Sequence, residues 1–149
     1  MKLNIINDYN SKTSYNIDSF KKLLKKILSD YKITEAKLSI ILSNRKLLNK
    51  LKKNYFNLDH FTDVIVFNLE DKNEPIDGEI YISVDDVLQN SILYKESFHN
   101  EFKRVLIHGV LHLLGFEDST IDKKKEMTIL ENKYIAYRLK DYLIENAIC

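Results

Sequence analysis

The chain has 149 residues, of which 44% are hydrophobic and 30% charged, with three glycines and one proline. That is enough apolar side chain for one compact core and too little glycine and proline for a flexible interdomain linker, so a single domain over residues 1–149 is expected. The formal net charge of +1 hides an uneven distribution: residues 1–54 carry 13 Lys and Arg against 4 Asp and Glu, and residues 55–101 carry 2 against 11. A basic first third suits a polyanionic partner such as RNA, and it equally suits the solvated faces of two surface helices; charge alone does not decide. The sole cysteine, Cys149, leaves no internal disulfide to form. No apolar run approaches the roughly 20 residues of a membrane span, and "MKLNIINDYN" lacks a signal core, so a cytoplasmic protein with no membrane partner is expected.

In chain order, "KLNII" reads as a first strand. From Asp18 onward, Phe20, Leu23, Leu24, Ile27, Leu28 and Tyr31 recur at helical spacing with lysines on the other face. "AKLSIIL" is a short β-rich run, and Ser43 is a candidate N-cap for the helix "NRKLLNKLKKNY", whose Leu47, Leu48, Leu51 and Tyr55 form one stripe. "TDVIVFNL" reads as a buried strand, the acidic "EDKNEPIDG" as a loop, and "EIYISV" as a fourth strand. Asp85 is a candidate cap for a short helix across "DVLQNSILY". A longer helix runs from about Ser97 to Leu114 and stops at Gly115, and Ser119 or Thr120 starts a last helix on which Met127, Leu130, Tyr134 and Tyr137 line up. Four strands interleaved with five helices predict an α+β layered domain around a mixed sheet.

The chemistry concentrates in "VLIHGVLHLLGFED", residues 105–118. His108 and His112 stand at i and i+4, one turn apart on one helical face, where two imidazoles can grip one metal ion. A buried helix can also hold satisfied histidines, so the pair alone is a weak signal. The turn at Gly115 strengthens it, because Glu117 and Asp118 then return toward the pair, and zinc accepts a carboxylate oxygen beside two imidazoles. Three protein ligands with one open position is the catalytic arrangement, in which the metal acidifies a water. Capping of the last helix is the structural alternative for Asp118. A zinc peptidase of the HExxH type needs Glu directly after the first histidine; here that position is Gly109, so peptide hydrolysis is disfavoured.

"HGVLHLLGFED" resembles the signature of the YbeY family, bacterial metal-dependent endoribonucleases linked to ribosomal RNA maturation, which reads H-G-x-L-H-L-x-G-[YF]-D-H. Leu48–Asn49, then Thr62–Val64 and Phe67, resemble the family's L-N…T-[DN]-V-L-S-F, and Gly78–Ile80 resembles its G-D-I. The resemblance implies an endoribonuclease in which His108, His112 and Asp118 hold a divalent metal, zinc first, whose water attacks a phosphodiester of ribosomal RNA on or near the ribosome. The family's third histidine falls on Asp118 and the Asp before it on Glu117, leaving Glu117 as the substitute ligand. The family's arginine falls on Phe56, with Lys52 and Lys53 one turn earlier; its proline falls on Phe61 and the serine of L-S-F on Val66. These departures carry the alternative, a YbeY-like RNA- or ribosome-binding protein with weakened or absent catalysis. His60 and His99, in polar surroundings, are expected at the surface, and Asp63 either hydrogen-bonds near the site or ends a strand.

Overall fold

The computed structural model describes residues 1–57 and 62–146, so the expectations for His60, Phe61 and Cys149 lie outside the described residues. The elements follow in the order β1 (Lys2–Asn7), β2 (Ser14–Tyr15), α1 (Ile17–Asp30), β3 (Ala36–Ser43), α2 (Arg45–Phe56), β4 (Val64–Asn68), β5 (Ile76–Ser83), α3 (Val84–Leu93), α4 (Phe98–Leu113), α5 (Ile121–Ile135) and β6 (Ile144–Asn146). A mixed four-stranded sheet has the order β1-β3-β5-β4, with β1, β3 and β5 parallel and β4 antiparallel on the edge. The expected α+β layered domain, with five helices on a four-stranded mixed sheet, is what the chain forms.

The layers follow from side-chain alternation. β3 lies in the middle of the sheet, and its Leu38, Ile40, Ile41 and Leu42 are buried on both faces, the pattern of a covered parallel strand. Helix α1 is amphipathic, and Phe20, Leu23, Leu24, Ile27 and Leu28 bury its stripe, each worth about 1.5–3 kcal/mol of transfer free energy. The Phe20 ring meets Phe102 of α4 edge-to-face at 6.0 Å, so α1 and α4 share one side of the sheet. Helix α2 covers the other side: Tyr55 and Phe56 meet Phe67 of β4, which in turn meets Tyr81 of β5.

Several local expectations are corrected. Ser43 is not the cap of α2; it ends β3, and the Asn44 side chain accepts from the Leu47 amide at 2.9 Å. Asp85 is not the cap of α3; Ser83 is, with its Oγ 3.3 Å from the Asp86 amide and donating to Asp86 Oδ2 at 2.6 Å. Asp85 instead sits in the first turn and accepts from the Tyr9 hydroxyl. In both cases the chain turns one or two residues away from the expected cap, a shift that candidate cap residues side by side cannot resolve. β5 starts earlier than expected, at Ile76, because Gly78 pairs with Leu38 and leaves space for Leu113 of α4; a Cβ there would lie 2.5 Å from Leu113 Cδ2. Tyr137 falls beyond the end of α5. The antiparallel pair β2–β6 has no counterpart among the expected strands, because two or three residues carry no readable period.

Candidate metal centre

Helix α4 starts at Ser97, whose hydroxyl accepts from the Asn100 amide at 3.1 Å, and buries Phe102, Val105, Leu106, Val110 and Leu111. Gly109 brings it close against the sheet: a Cβ there would lie 2.9 Å from Ile80 Cγ2 on β5. The helix ends in a Schellman turn, with the Gly115 amide bonded to the His112 carbonyl and the Phe116 amide to the Leu111 carbonyl, both at 3.0 Å. Gly115 has φ +99°, which a residue without Cβ adopts cheaply. That turn sends the chain back along the helix and delivers Asp118.

His108 Nε2 lies 2.9 Å from His112 Nε2, and Asp118 Oδ2 lies 3.4 Å from the first and 3.7 Å from the second. Zinc bonds of about 2.0–2.1 Å in tetrahedral array put ligand atoms about 3.3 Å apart, so these three atoms are spaced as a metal's donors are. Two neutral imidazoles and a carboxylate are a donor set that zinc, and also manganese, accepts. His108, His112 and Asp118 could therefore hold a metal ion, the cluster of this kind found among the described residues. Glu117 does not join them; it is exposed and pairs with Lys123 at 2.7 Å, which holds its carboxyl below the usual range. Nor is Asp118 the cap of α5, because the Thr120 hydroxyl takes the Lys123 amide at 3.1 Å.

The electrostatics of the two rings differ. Burial pushes His108 down, but the hydrogen bond to Glu131, together with the charges of Glu131, Asp118 and Asp63, outweighs it and holds the ring above the ordinary histidine value. His112 is held below that value by burial first and by His108 second, with Asp118 and the Phe116 backbone opposing. Glu131, from α5, is buried and places Oε2 2.7 Å from His108 Nδ1. Sequence reasoning missed it, although a glutamate set between Met127 and Tyr134 on a buried helical stripe was the available signal. Arg104, one turn before His108 on α4, bonds to the same carboxylate at 3.0 Å and was missed too.

The cluster opens onto a cleft of about 570 Å³ that also takes in Lys52, Phe56, Thr62, Asp63, Asn68 and the strand β4. Phe56 stacks on Phe67 with the Lys52 ammonium 4.9 Å from its ring centre, at the α2 end of this cleft. Asp63 stands just before β4, where its carbonyl accepts from the Ser83 amide, and its carboxylate accepts from Asn90 of α3. Burial pushes its carboxyl above the usual carboxylate range, with His108 opposing. His99 is half-buried, its ring stacked on Tyr142 at 3.6 Å, and it stands apart from the cluster.

Two histidines on α4, with a carboxylate returned to them at the wall of an open cleft, make a cluster on this α+β domain that could hold a metal ion. A family model described as endoribonuclease YbeY matches residues 5–138, and the chain belongs to that family. The endoribonuclease YbeY of Chloroherpeton thalassium is 40% identical over 119 residues, covering 80% of this chain and 84% of the relative. That of Karelsulcia muelleri is 36% identical over 130 residues, covering 87% and 91%. The solution structure of a Thermotoga maritima protein matches with a TM-score of 0.59 and 26% identity, covering 89% of this chain and 86% of that one. No helix among the described residues is long and apolar enough to cross a membrane.

Proposed function

We propose that this protein is a metal-dependent endoribonuclease that cleaves ribosomal RNA precursors during ribosome maturation in the cytoplasm, with a zinc ion as cofactor. The convergence of His108, His112 and Asp118 on one point at the wall of an accessible cleft carries this reading. A divalent cation bound there would supply Lewis-acid activation of water and neutralise phosphate charge. The chain's own residues do the rest. His108 and His112 offer Nε2 lone pairs from a rigid helix, and Asp118 offers one carboxylate oxygen from the loop held by the Gly115 turn. Lys52 stands in the same cleft and can meet a phosphate oxygen, and Lys46, Lys50 and Lys53 add positive charge to the same helix. Gly109 offers no side chain to act as a peptidase's general base.

The alternative, an RNA-binding relative without catalysis, is disfavoured because all three ligand positions are filled by metal-competent groups, whatever stands at Phe56. The experiment is metal analysis and cleavage of a ribosomal RNA fragment by wild type, His108→Ala and His112→Ala. Wild type should hold a single divalent ion per chain and cleave; both variants should lose ion and cleavage together. Full metal occupancy in both variants would end the ligand reading, and a metal-loaded wild type that binds RNA without cutting it would favour the binding protein.

A further inference from the structure

Behind His108, away from the cleft, a carboxylate is buried where an apolar side chain would pack more cheaply. Glu131 is 6% exposed and lies on the same buried stripe of α5 as Met127 and Tyr134. Both of its oxygens are committed: Oε2 lies 2.7 Å from His108 Nδ1, and Oε1 accepts from Arg104 Nη1 at 3.0 Å. Arg104 is itself steadied by Asn132, whose Oδ1 accepts from Nη2 at 2.9 Å. Arg104 and His108 are one turn apart on α4, and the carboxylate from α5 bridges them, so the three groups form a chain that runs from α5 to the ring and stops at it.

The chemistry of that chain selects an orientation. An ionised carboxylate only accepts hydrogen bonds, and a neutral imidazole has one N–H and one lone pair. A neutral His108 must therefore carry its hydrogen on Nδ1, facing Glu131, and its lone pair on Nε2. Nε2 is the atom that faces His112 and Asp118. A neutral histidine side chain in water favours the opposite tautomer, with the hydrogen on Nε2, which cannot ligate through that atom. We infer that Glu131, held in place by Arg104, is the positioning residue of the metal centre, fixing the His108 ring so that Nε2 presents its lone pair to the cation. The inference rests on the reading of His108 as a ligand. A mere ion pair tying α4 to α5 would be complete with Arg104 and Glu131; it would not need the second oxygen to meet Nδ1 at the shorter of the two distances.

The test uses the full chain with Glu131→Gln, which keeps size and shape, and with Arg104→Lys, which keeps charge but not the planar fork. Nitrogen-15 NMR of the metal-free protein, at a pH where His108 is neutral, reads the tautomer directly. Zinc titration, cobalt absorption spectra and thermal unfolding are read beside it. Wild type should show hydrogen on Nδ1, whereas Glu131→Gln should mix the two tautomers, weaken zinc by about ten- to a hundredfold and alter the cobalt bands. Arg104→Lys should weaken zinc severalfold by the same route. Zinc lost in His112→Ala, but tautomer and zinc affinity unchanged in both Glu131→Gln and Arg104→Lys, would overturn the positioning role alone. Zinc held at full affinity by His112→Ala would overturn the ligand reading and the positioning role with it. A fall in unfolding temperature with tautomer and affinity intact would reduce the pair to a strut and also overturn it.

Discussion

Asp118 is the anionic member of the three groups that converge on α4, and it reaches them from a loop rather than from a helix. Removing it leaves two imidazoles about 2.9 Å apart with no charge to balance a dication. Asp118→Ala should therefore weaken metal binding by about a hundredfold or more, while Glu117→Ala, whose carboxylate pairs with Lys123, should leave it unchanged. Asp118→His should retain metal and shift any pH–rate profile to lower pH, because a site without the carboxylate leaves the cation one charge more positive. Metal titration of the three variants decides, and full retention in Asp118→Ala would refute the assignment. At this scale the sequence was legible for His108, His112 and Asp118 but not for Glu131 and Arg104. The first three share one short segment, whereas Glu131 stands 23 positions from His108 in the chain and meets it through a helix packing that no local spacing encodes.

Helices α2 and α4 carry the next two expectations. α2 displays Lys46, Lys50, Lys52 and Lys53, and Lys52 lines the cleft beside the metal-competent cluster. If these lysines neutralise RNA phosphates, replacing all four by Gln should lower the slope of log affinity against log salt by roughly 0.7–1 for each phosphate no longer neutralised. An unchanged slope in a salt titration would make them solvated surface. The first turn of α4 holds His99, stacked on Tyr142, with Nδ1 buried and without a hydrogen-bond partner. Burial lowers its pKa below the ordinary 6.5. The unfolded chain thus takes up the proton before the folded one does, so this contribution to stability is complete above about pH 6.5 and is lost as pH falls through that value toward the depressed one. His99→Phe, which keeps the stack and removes the titration, should flatten the pH dependence of the unfolding temperature between about pH 7 and 5 relative to wild type. Parallel curves for the two proteins would show that His99 is not responsible.

For the whole domain, a ligand that binds only the folded chain stabilises it by mass action. The three candidate ligands come from α4 and from the loop after it, and they converge only when the Schellman turn and the packing of Gly109 on Ile80 are formed. Zinc at about 100 times its dissociation constant should add about 2.7 kcal/mol and raise the unfolding temperature of a chain this size by about 5–10 °C. The shift should vanish in His112→Ala. Scanning calorimetry with and without zinc is the measurement, and an equal shift in wild type and His112→Ala would place the ion elsewhere.

Elements with a strong internal period were legible in the sequence by itself: the amphipathic α1, the apolar β3, the histidine-bearing α4 and its stop at Gly115. Their burial pattern repeats about every two or 3.6 residues, so the faces they hide can be read without knowing what covers them. The histidine pair and the returning Asp118 were legible for the same reason, all three lying within residues 108–118. Tertiary structure alone decided the rest. It chose Asp118 over Glu117, because only one carboxylate of that turn points back along α4 while the other meets Lys123. It paired β2 with β6 from opposite ends of the chain, set β4 at the sheet edge so that a cleft opens beside the histidines, and brought Glu131 and Arg104 behind His108. The pairing of β2 with β6, the edge place of β4 and the arrival of Glu131 each depend on residues far apart in the chain meeting one another, which leaves no period in either partner and is settled only when the whole core packs.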